Sequence, residues 1–279
     1  TRVIAEMGLA PYRLGLTATP KRSDGLELDL DTLIGPVVYH KQPGDLKGLS
    51  LSDYREVQIV VRLSPGEQAH YDELIAVRNA FLSRMNIQLG SLDGWKSFVM
   101  QSGTLEGRRA MRAHREARTL AHGTEGKLRV LVRLLEEILG NHPHERSLIF
   151  TDNNATVYRI SREFLIPAIT HQTPVKEWHS LLQAFRDGRY RILVTSGVLN
   201  EDVDVPEASV AVVLSDTATE REHIQRLGRI LRKVEGKRAT LYEVVTEGTS
   251  EERVSKQRKG QWQPRSQSGP VWESINAPD

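Results

Sequence analysis

Ser147-Leu148-Ile149-Phe150, Ile166-Pro167-Ala168-Ile169, Ile192-Leu193-Val194, Val210-Ala211-Val212-Val213-Leu214 and Thr240-Leu241-Tyr242-Glu243-Val244-Val245 are short apolar runs in one stretch of chain. Each is too short for a helix and long enough for a buried strand. The spacers 153–164, 175–187 and 219–232 are long enough for helices. Strands that alternate with helices predict an α/β parallel sheet wrapped by helices, because a parallel connection needs a crossover element. In such sheets ligands bind beyond the carboxyl ends of the strands.

Outward from this stretch, Lys127 to Leu139 predicts an amphipathic helix with Leu128, Leu131, Leu135 and Ile138 on one stripe. Arg55 to Leu63 alternates, with Val57, Ile59 and Val61 on one face and Gln58, Val60 and Arg62 on the other, which predicts a strand. Ser64-Pro65-Gly66-Glu67 then signals a helix start, with a capping Ser, Pro in the first turn and Glu three residues after the cap. Residues 66–122 read as helical, with breaks near Gly90–Gly94 and Gly103–Gly107 and a basic last helix at 108–121. Residues 21–53, rich in Gly, Asp, Lys and Pro, read as loops or a linker. Arg13-Leu14-Gly15-Leu16 reads as a short buried strand with Thr17-Ala18-Thr19-Pro20 as its exit. Trp178, beside Leu181 and Leu182, reads as core. The tail, 250–279, is Gln-, Ser- and Pro-rich; it is either flexible or docked through Trp262 and Trp272.

The composition of the 279 residues, 39% hydrophobic and 27% charged, is that of a globular protein. Cys is absent, which excludes disulfides, thiolate zinc sites and a Cys nucleophile. No apolar run approaches the ~20 residues needed to cross a bilayer. Residues 1–12 lack the pattern of a signal peptide, so the expected location is cytoplasmic. Lys and Arg total 38 against 36 Asp and Glu, but the balance hides clusters. Arg108, Arg109, Arg112, Arg115 and Arg118 face only Glu106 and Glu116 within 105–122. Arg253, Lys256, Arg258, Lys259 and Arg265 face no acid within 253–272. Such stretches are compatible with a nucleic-acid partner, and from charge alone a solvated surface is the plainer reading.

Three clusters fall at strand ends or beside them. The first is Gly15-Leu16-Thr17-Ala18-Thr19-Pro20. The second runs from Thr195-Ser196 through Glu201 and Asp204 to Pro206, offering hydroxyls and two carboxylates three residues apart. The third is Gln225-Arg226-Leu227-Gly228-Arg229-Ile230-Leu231-Arg232. On a helix, Arg226, Arg229 and Arg232 form a drifting row, and two guanidinium forks suit one phosphate. His142 and His144 could bind a metal together with His122, but no carboxylate or Cys completes a shell, so a surface loop and no metal are expected.

Together the clusters resemble the T-A-T, E-x-x-D-x-P and Q-R-x-G-R-x-x-R motifs of superfamily 2 helicases. Finer detail is similar to the xeroderma pigmentosum group B (XPB) branch, especially its archaeal and bacterial members. The segments concerned are Leu148–Asn154, Val157–Ser161, Leu165–His171, Ala184–Arg191 and Tyr242–Val245, with the basic Arg253–Lys259 beyond. The resemblance runs through 145–260 and 1–63.

It implies a RecA-like second helicase lobe that closes ATP and Mg2+ against a first lobe, while DNA, single-stranded or forked, crosses both. Residues 1–38 would end the first lobe, 39–63 would be linker and first strand, and 64–124 a helical thumb-like insertion. Residues 125–249 would be the C-terminal lobe and 250–279 a basic tail. Matched motif by motif, Arg229 and Arg232 would be arginine fingers. Glu201, Asp204, Gln225 and Arg226 would support the nucleotide, and Thr17 and Thr19 would couple it to the DNA track. Thr151, Asn153, His171, Thr195 and Ser196 would lie along the phosphate backbone, and Arg108, Arg112 and Arg115 would contact phosphates from the insertion. The family resemblance also implies 3′ to 5′ movement, a role in DNA repair, nucleoid association and a nuclease partner.

The sequence departs from the family at Asp202, where Gly is usual, and holds no G-x-x-x-x-G-K-S/T loop or Asp-Glu-Ala-His box. Gly123-Thr124-Glu125-Gly126-Lys127-Leu128 comes nearest to the loop and fails in spacing and final hydroxyl. The expectation is therefore the C-terminal part of a longer motor, without ATP turnover of its own. An ATP-independent DNA- or partner-binding lobe and an RNA- or restriction-type superfamily 2 motor are the alternatives.

Overall fold

The computed structural model describes residues 12–15, 28–39, 53–89, 92–141, 145–196, 208–215, 238–261 and 272–276. Among these residues, seven parallel strands form one sheet. In chain order they are β1 (Asp53–Val61), β2 (Arg146–Phe150), β3 (Ala168–Ile169), β4 (Ile192–Thr195), β5 (Ala208–Val213), β6 (Arg238–Thr246) and β7 (Trp272–Asn276). Their order across the sheet is β3-β4-β2-β5-β6-β1-β7. The described helices are α1 (Leu28–Leu33), α2 (Pro65–Arg84), α3 (Leu92–Gln101), α4 (Leu105–His122), α5 (Glu125–Asn141), α6 (Asn154–Phe164), α7 (Val175–Arg186) and α8 (Ser250–Gln261).

Side chains alternate across each strand, so neighbouring residues enter different cores. Ile149, Val194, Val212 and Val244 join Leu128, Leu131, Leu135 and Ile138 of α5 and Val157 and Ile160 of α6. Leu148, Phe150, Leu193, Ala211, Val213 and Leu241 turn the other way, onto Leu182 and Phe185 of α7, with Trp178 partly buried beside them. Both faces are thus covered, which is why the strands read as continuous apolar runs. On β1, Val57, Ile59 and Val61 complete the first core. The opposite face is also used: Gln58 Nε2 donates to Ser255 Oγ of α8 at 2.8 Å and to Glu243 at 3.2 Å.

Between β1 and α5 the chain leaves the sheet to build an insertion of three helices. Ser64 caps α2, its hydroxyl accepting from Glu67 N while the Glu67 carboxylate returns to Ser64 N. Glu67 also accepts from Thr124 Oγ1 at 2.9 Å and from Glu125 N at 3.2 Å, which pins the start of α2 to the start of α5. Burial works to raise the Glu67 pKa, but the bonds from Ser64, Thr124 and Glu125 prevail and lower it. Helix α4 presents Ala113, Ala117 and Ala121 to Tyr71 and Leu74 of α2. Phe98 of α3 closes a second small cluster with Phe81, Leu82, Ala110 and Met111. At Gly107 a Cβ would lie 1.9 Å from the Gln101 carbonyl oxygen, so only glycine fits where the first turn of α4 lies against the end of α3.

Three readings of the sequence are corrected. Residues 12–15 make no strand, and Leu14 is 81% exposed. A buried strand needs neighbours in a sheet, and none lies beside it among the described residues. The segment 21–53, read as loop, contains the short helix α1. The run Ile166–Ile169 narrows to the two residues of β3, because Leu165 caps α6 with a left-handed backbone and Pro167 has no N–H to give to a ladder. The tail, for which docking and flexibility were both open, returns as β7 beside β1 in parallel register, Glu56 opposite Trp272.

Candidate nucleotide and nucleic-acid interface

A parallel sheet gathers all its carboxyl ends on one edge. Here that edge carries Thr151, Asp152 and Asn153 after β2, Thr170 and His171 after β3, Thr195 and Ser196 at the end of β4, and Ser215 after β5. Hydrogen bonds tie these ends together. Thr151 N donates to the Thr195 carbonyl at 3.0 Å. Ser215 Oγ accepts from Asp152 N and donates to Asp152 Oδ1, both at 3.0 Å. With its only proton spent on Asp152, Ser215 Oγ accepts from the Thr151 hydroxyl, also at 3.0 Å. Asn153 caps α6 through Thr156 N at 2.8 Å and donates to Asp152 Oδ1 at 2.9 Å.

The residues expected along a phosphate track therefore divide. Thr151 and Thr195 are 1% and 0% exposed, and their hydroxyls are consumed inside the protein, Thr195 Oγ1 on the Ser196 carbonyl. Their side chains do not face a phosphate in this structure. The hydroxyl at the end of a central strand is shut in by the strands on both sides. Ser196 is buried as well. Asn153 is half-buried and holds the helix start, and His171 is exposed, its Nδ1 3.2 Å from Asn154 Nδ2.

Arg108, Arg112 and Arg115 are exposed on α4. Their spacing of four and three places them on one stripe, opposite the alanines that face α2. Arg118 turns toward the sheet, its Nη2 3.5 Å from Asp152 Oδ2. The basic stripe thus ends against the carboxyl edge.

Thr17, Thr19, Glu201, Asp204, Gln225, Arg226, Arg229 and Arg232 lie outside the described residues, as do His142 and His144. The segments 197–207 and 216–237, which carry six of them, leave from the ends of β4 and β5 on the carboxyl edge. Among the described residues no group of three or more His, Asp or Glu is placed to hold a metal. His122, weighed with them as a metal ligand, is buried against Asp152. Lys127, in the segment nearest to a phosphate loop, is 1% exposed and bonded to Glu251 and the Leu214 carbonyl, so it holds no phosphate.

Asp152 and Ser215 were not among the expected site residues. Asp152 stands in the resembling segment Leu148–Asn154, which is the one signal that points to it. Burial works to raise the pKa of Asp152. Hydrogen bonds from His122, Asn153 and Ser215, with the imidazole's charge, outweigh burial and hold the carboxyl far below the usual range.

Helices on both faces of a parallel sheet, with polar groups gathered at its carboxyl edge, make a RecA-like α/β fold. The fold matches the helicase domain of Pyrococcus furiosus Hef with a TM-score of 0.62 at 17% identity, over 88% of this chain and 66% of that one. The C-terminal part of the Fun30 ATPase domain gives 0.56 at 13% identity, over 74% and 89%.

Residues 127–262 match the family described as ERCC3/RAD25/XPB C-terminal helicase. The chain is 40% identical over 258 residues to the DNA 3'-5' translocase XPB2 of Sulfurisphaera tokodaii, covering 92% of this chain and 58% of that protein. It is 29% identical to the DNA 3'-5' helicase XPB of Mycobacterium tuberculosis, covering 84% and 35%. The chain is similar to the XPB family through most of its length, and it spans between about a third and three fifths of the length of these relatives.

Proposed function

We propose that the whole protein is an ATP-dependent 3′ to 5′ DNA helicase or translocase of DNA repair, and that this chain supplies its arginine fingers and part of its DNA track. The observation that carries this reading is the 40% identity to a DNA 3'-5' translocase through 92% of the chain. The basic stripe of α4, ending at the carboxyl edge, supports it.

In this reading Arg229 and Arg232 stabilise charge on the γ-phosphate, an effect worth about 10³–10⁵ in rate for such arginines. Glu201, Asp204, Gln225 and Arg226 hold the nucleotide, and Thr17 and Thr19 transmit its state. Arg108, Arg112 and Arg115 meet the phosphate backbone. On the track beside the sheet, His171 and Asn153 have the exposure for a DNA contact and the buried hydroxyls of Thr151 and Thr195 do not. ATP with Mg2+ needs a phosphate cradle, which the sequence of this chain does not contain. Residues 1–279 alone therefore do not turn over ATP. A nuclease partner and a place on the nucleoid in the cytoplasm belong to the same reading. No described helix is long and apolar enough to cross a membrane.

The test is ATP hydrolysis by the full-length protein with and without forked DNA, beside residues 1–279 and an Arg232→Ala full-length variant. DNA-stimulated turnover that is lost in Arg232→Ala and absent from residues 1–279 supports the reading. Turnover indifferent to Arg232 removes the finger assignment. DNA binding without any turnover makes the chain a binding lobe. Matched RNA and DNA forks separate the two tracks.

A further inference from the structure

Elements of the insertion and of the sheet meet in one buried chain of ionisable groups behind the carboxyl edge. His122, the last residue of α4, sets Nδ1 2.6 Å from Asp152 Oδ2. Its Nε2 lies 3.6 Å from Glu251 Oε1 of α8. The two Glu251 oxygens hold Lys127 Nζ of α5 at 2.7 and 2.6 Å, and Oε2 also accepts from Thr246 N at 3.2 Å. Lys127 Nζ donates as well to the Leu214 carbonyl at the end of β5. Asp152 in turn holds Ser215 and Asn153.

Buried charges are a poor way to gain stability, since desolvation offsets most of their attraction. Apolar side chains of the same volume would hold these elements together as well. What the charges add is direction: each has one geometry in which its partners are satisfied. The chain lies between two surfaces that must respond to each other. On one side is the basic stripe of α4, whose last arginine, Arg118, already reaches Asp152. On the other are the strand ends from which 197–207 and 216–237 depart, the first beside Thr151 through the Thr195 carbonyl and the second just after Ser215. A shift of α4 under a bound phosphate backbone moves His122, and Asp152 carries the shift to Ser215 and the cap of α6.

We propose that His122 and Asp152 are positioning residues that couple DNA on α4 to the nucleotide-facing strand ends, with Lys127 and Glu251 fixing the imidazole from behind. This rests on the motor reading above. Coupling between sites is typically worth about 5- to 150-fold.

The experiment uses the full-length protein and a forked DNA duplex. It compares wild type, His122→Leu, which cannot hold Asp152, and His122→Asn, whose amide nitrogen takes the place of Nδ1. In His122→Leu the ratio of DNA-stimulated to DNA-free ATP turnover falls by about tenfold, while DNA affinity stays within about twofold. His122→Asn recovers part of the ratio. An unchanged ratio, an equal loss of both rates, or no rescue by Asn overturns the proposal. If His122→Leu does not fold, Asp152→Asn replaces it with the same expected fall. Hydrogen exchange separates this inference from the motor reading. In a wild type without DNA-stimulated turnover, the motor reading fails. DNA protection that reaches the amides of 151–156 and is lost in His122→Leu still supports the coupling. Protection confined to α4, or no binding of the fork at all, overturns it.

Discussion

Strand β5 is buried along all six of its residues, whereas helix α4 of the insertion buries one stripe and leaves the other in water. The sheet is covered by helices on both faces, so its strands carry bulky apolar side chains in both directions. The insertion closes through two small clusters, and α4 meets α2 with alanines where the sheet uses Leu, Ile and Val. The sheet thus acts as a scaffold filled to capacity. The insertion keeps one face free for its arginines, and α4 meets α2 through alanines, whose small side chains allow a close approach. Where the two regions join, the contact is polar: Thr246 Oγ1 on the Ala121 carbonyl at 2.7 Å, and the buried chain through His122 and Glu251.

The sharpest way to break this arrangement is at the join. Glu251→Ala leaves the Lys127 ammonium buried with only the Leu214 carbonyl, at an expected cost of about 3–5 kcal/mol. Replacing both, as Lys127→Met with Glu251→Leu, recovers most of that loss. Urea unfolding of the three variants checks this, and a single-variant cost below about 1 kcal/mol would contradict the burial of the pair.

Next in size is a contrast between losing and adding volume. Leu193→Ala in β4, at a fully buried position, costs about 2–5 kcal/mol through the cavity left behind. Ala117→Leu in α4 costs about 1–3 kcal/mol for the opposite reason, since the new side chain pushes α2 away. Thermal melts of both variants should show a clear loss. A neutral Ala117→Leu would mean that the two helices are not in close contact.

The smallest expected effect is one of pH, and it belongs to the insertion. His114 stands on α4 beside the rings of Trp95 and Phe98, its Nδ1 buried without a partner. Burial first, then the charges of Arg78, Arg118 and Arg115, push its pKa down from 6.5 to about 4. The unfolded chain takes up a proton near pH 6.5 and the folded chain does not, so this contribution is complete above that pH. It is lost as the pH falls toward about 4. Melting temperatures measured between these limits should decline in wild type and flatten in His114→Gln. A decline unchanged by the substitution would place its origin elsewhere.

Much of the sheet is legible in the sequence, because β-strands of a two-sided core announce themselves as uninterrupted apolar runs. The start of α2 was legible for a different local reason, since Ser64 and Glu67 satisfy each other within four residues. The edges were not. Whether Arg13–Leu16 becomes a strand depends on neighbours, and the extent of β3 depends on the left-handed backbone at Leu165, which a Leu does not advertise. For the candidate site, the row of arginines on α4 could be read from spacing alone. The fate of Thr151 and Thr195 could not, because a hydroxyl after a strand looks the same whether it faces a ligand or a neighbouring serine.

The sequence by itself determined the alternation of strands and helices, the basic stripe and the resemblance to the XPB branch. These rest on spacings of two to four residues and on short motifs, which are local properties of the chain. Only the tertiary structure decided that Lys127 is sealed by Glu251, 124 residues away, and that His122 meets Asp152 across 30. Such partners are chosen by how the parallel sheet gathers its carboxyl ends and lays α4, α5 and α8 beside them. No local pattern carries that information.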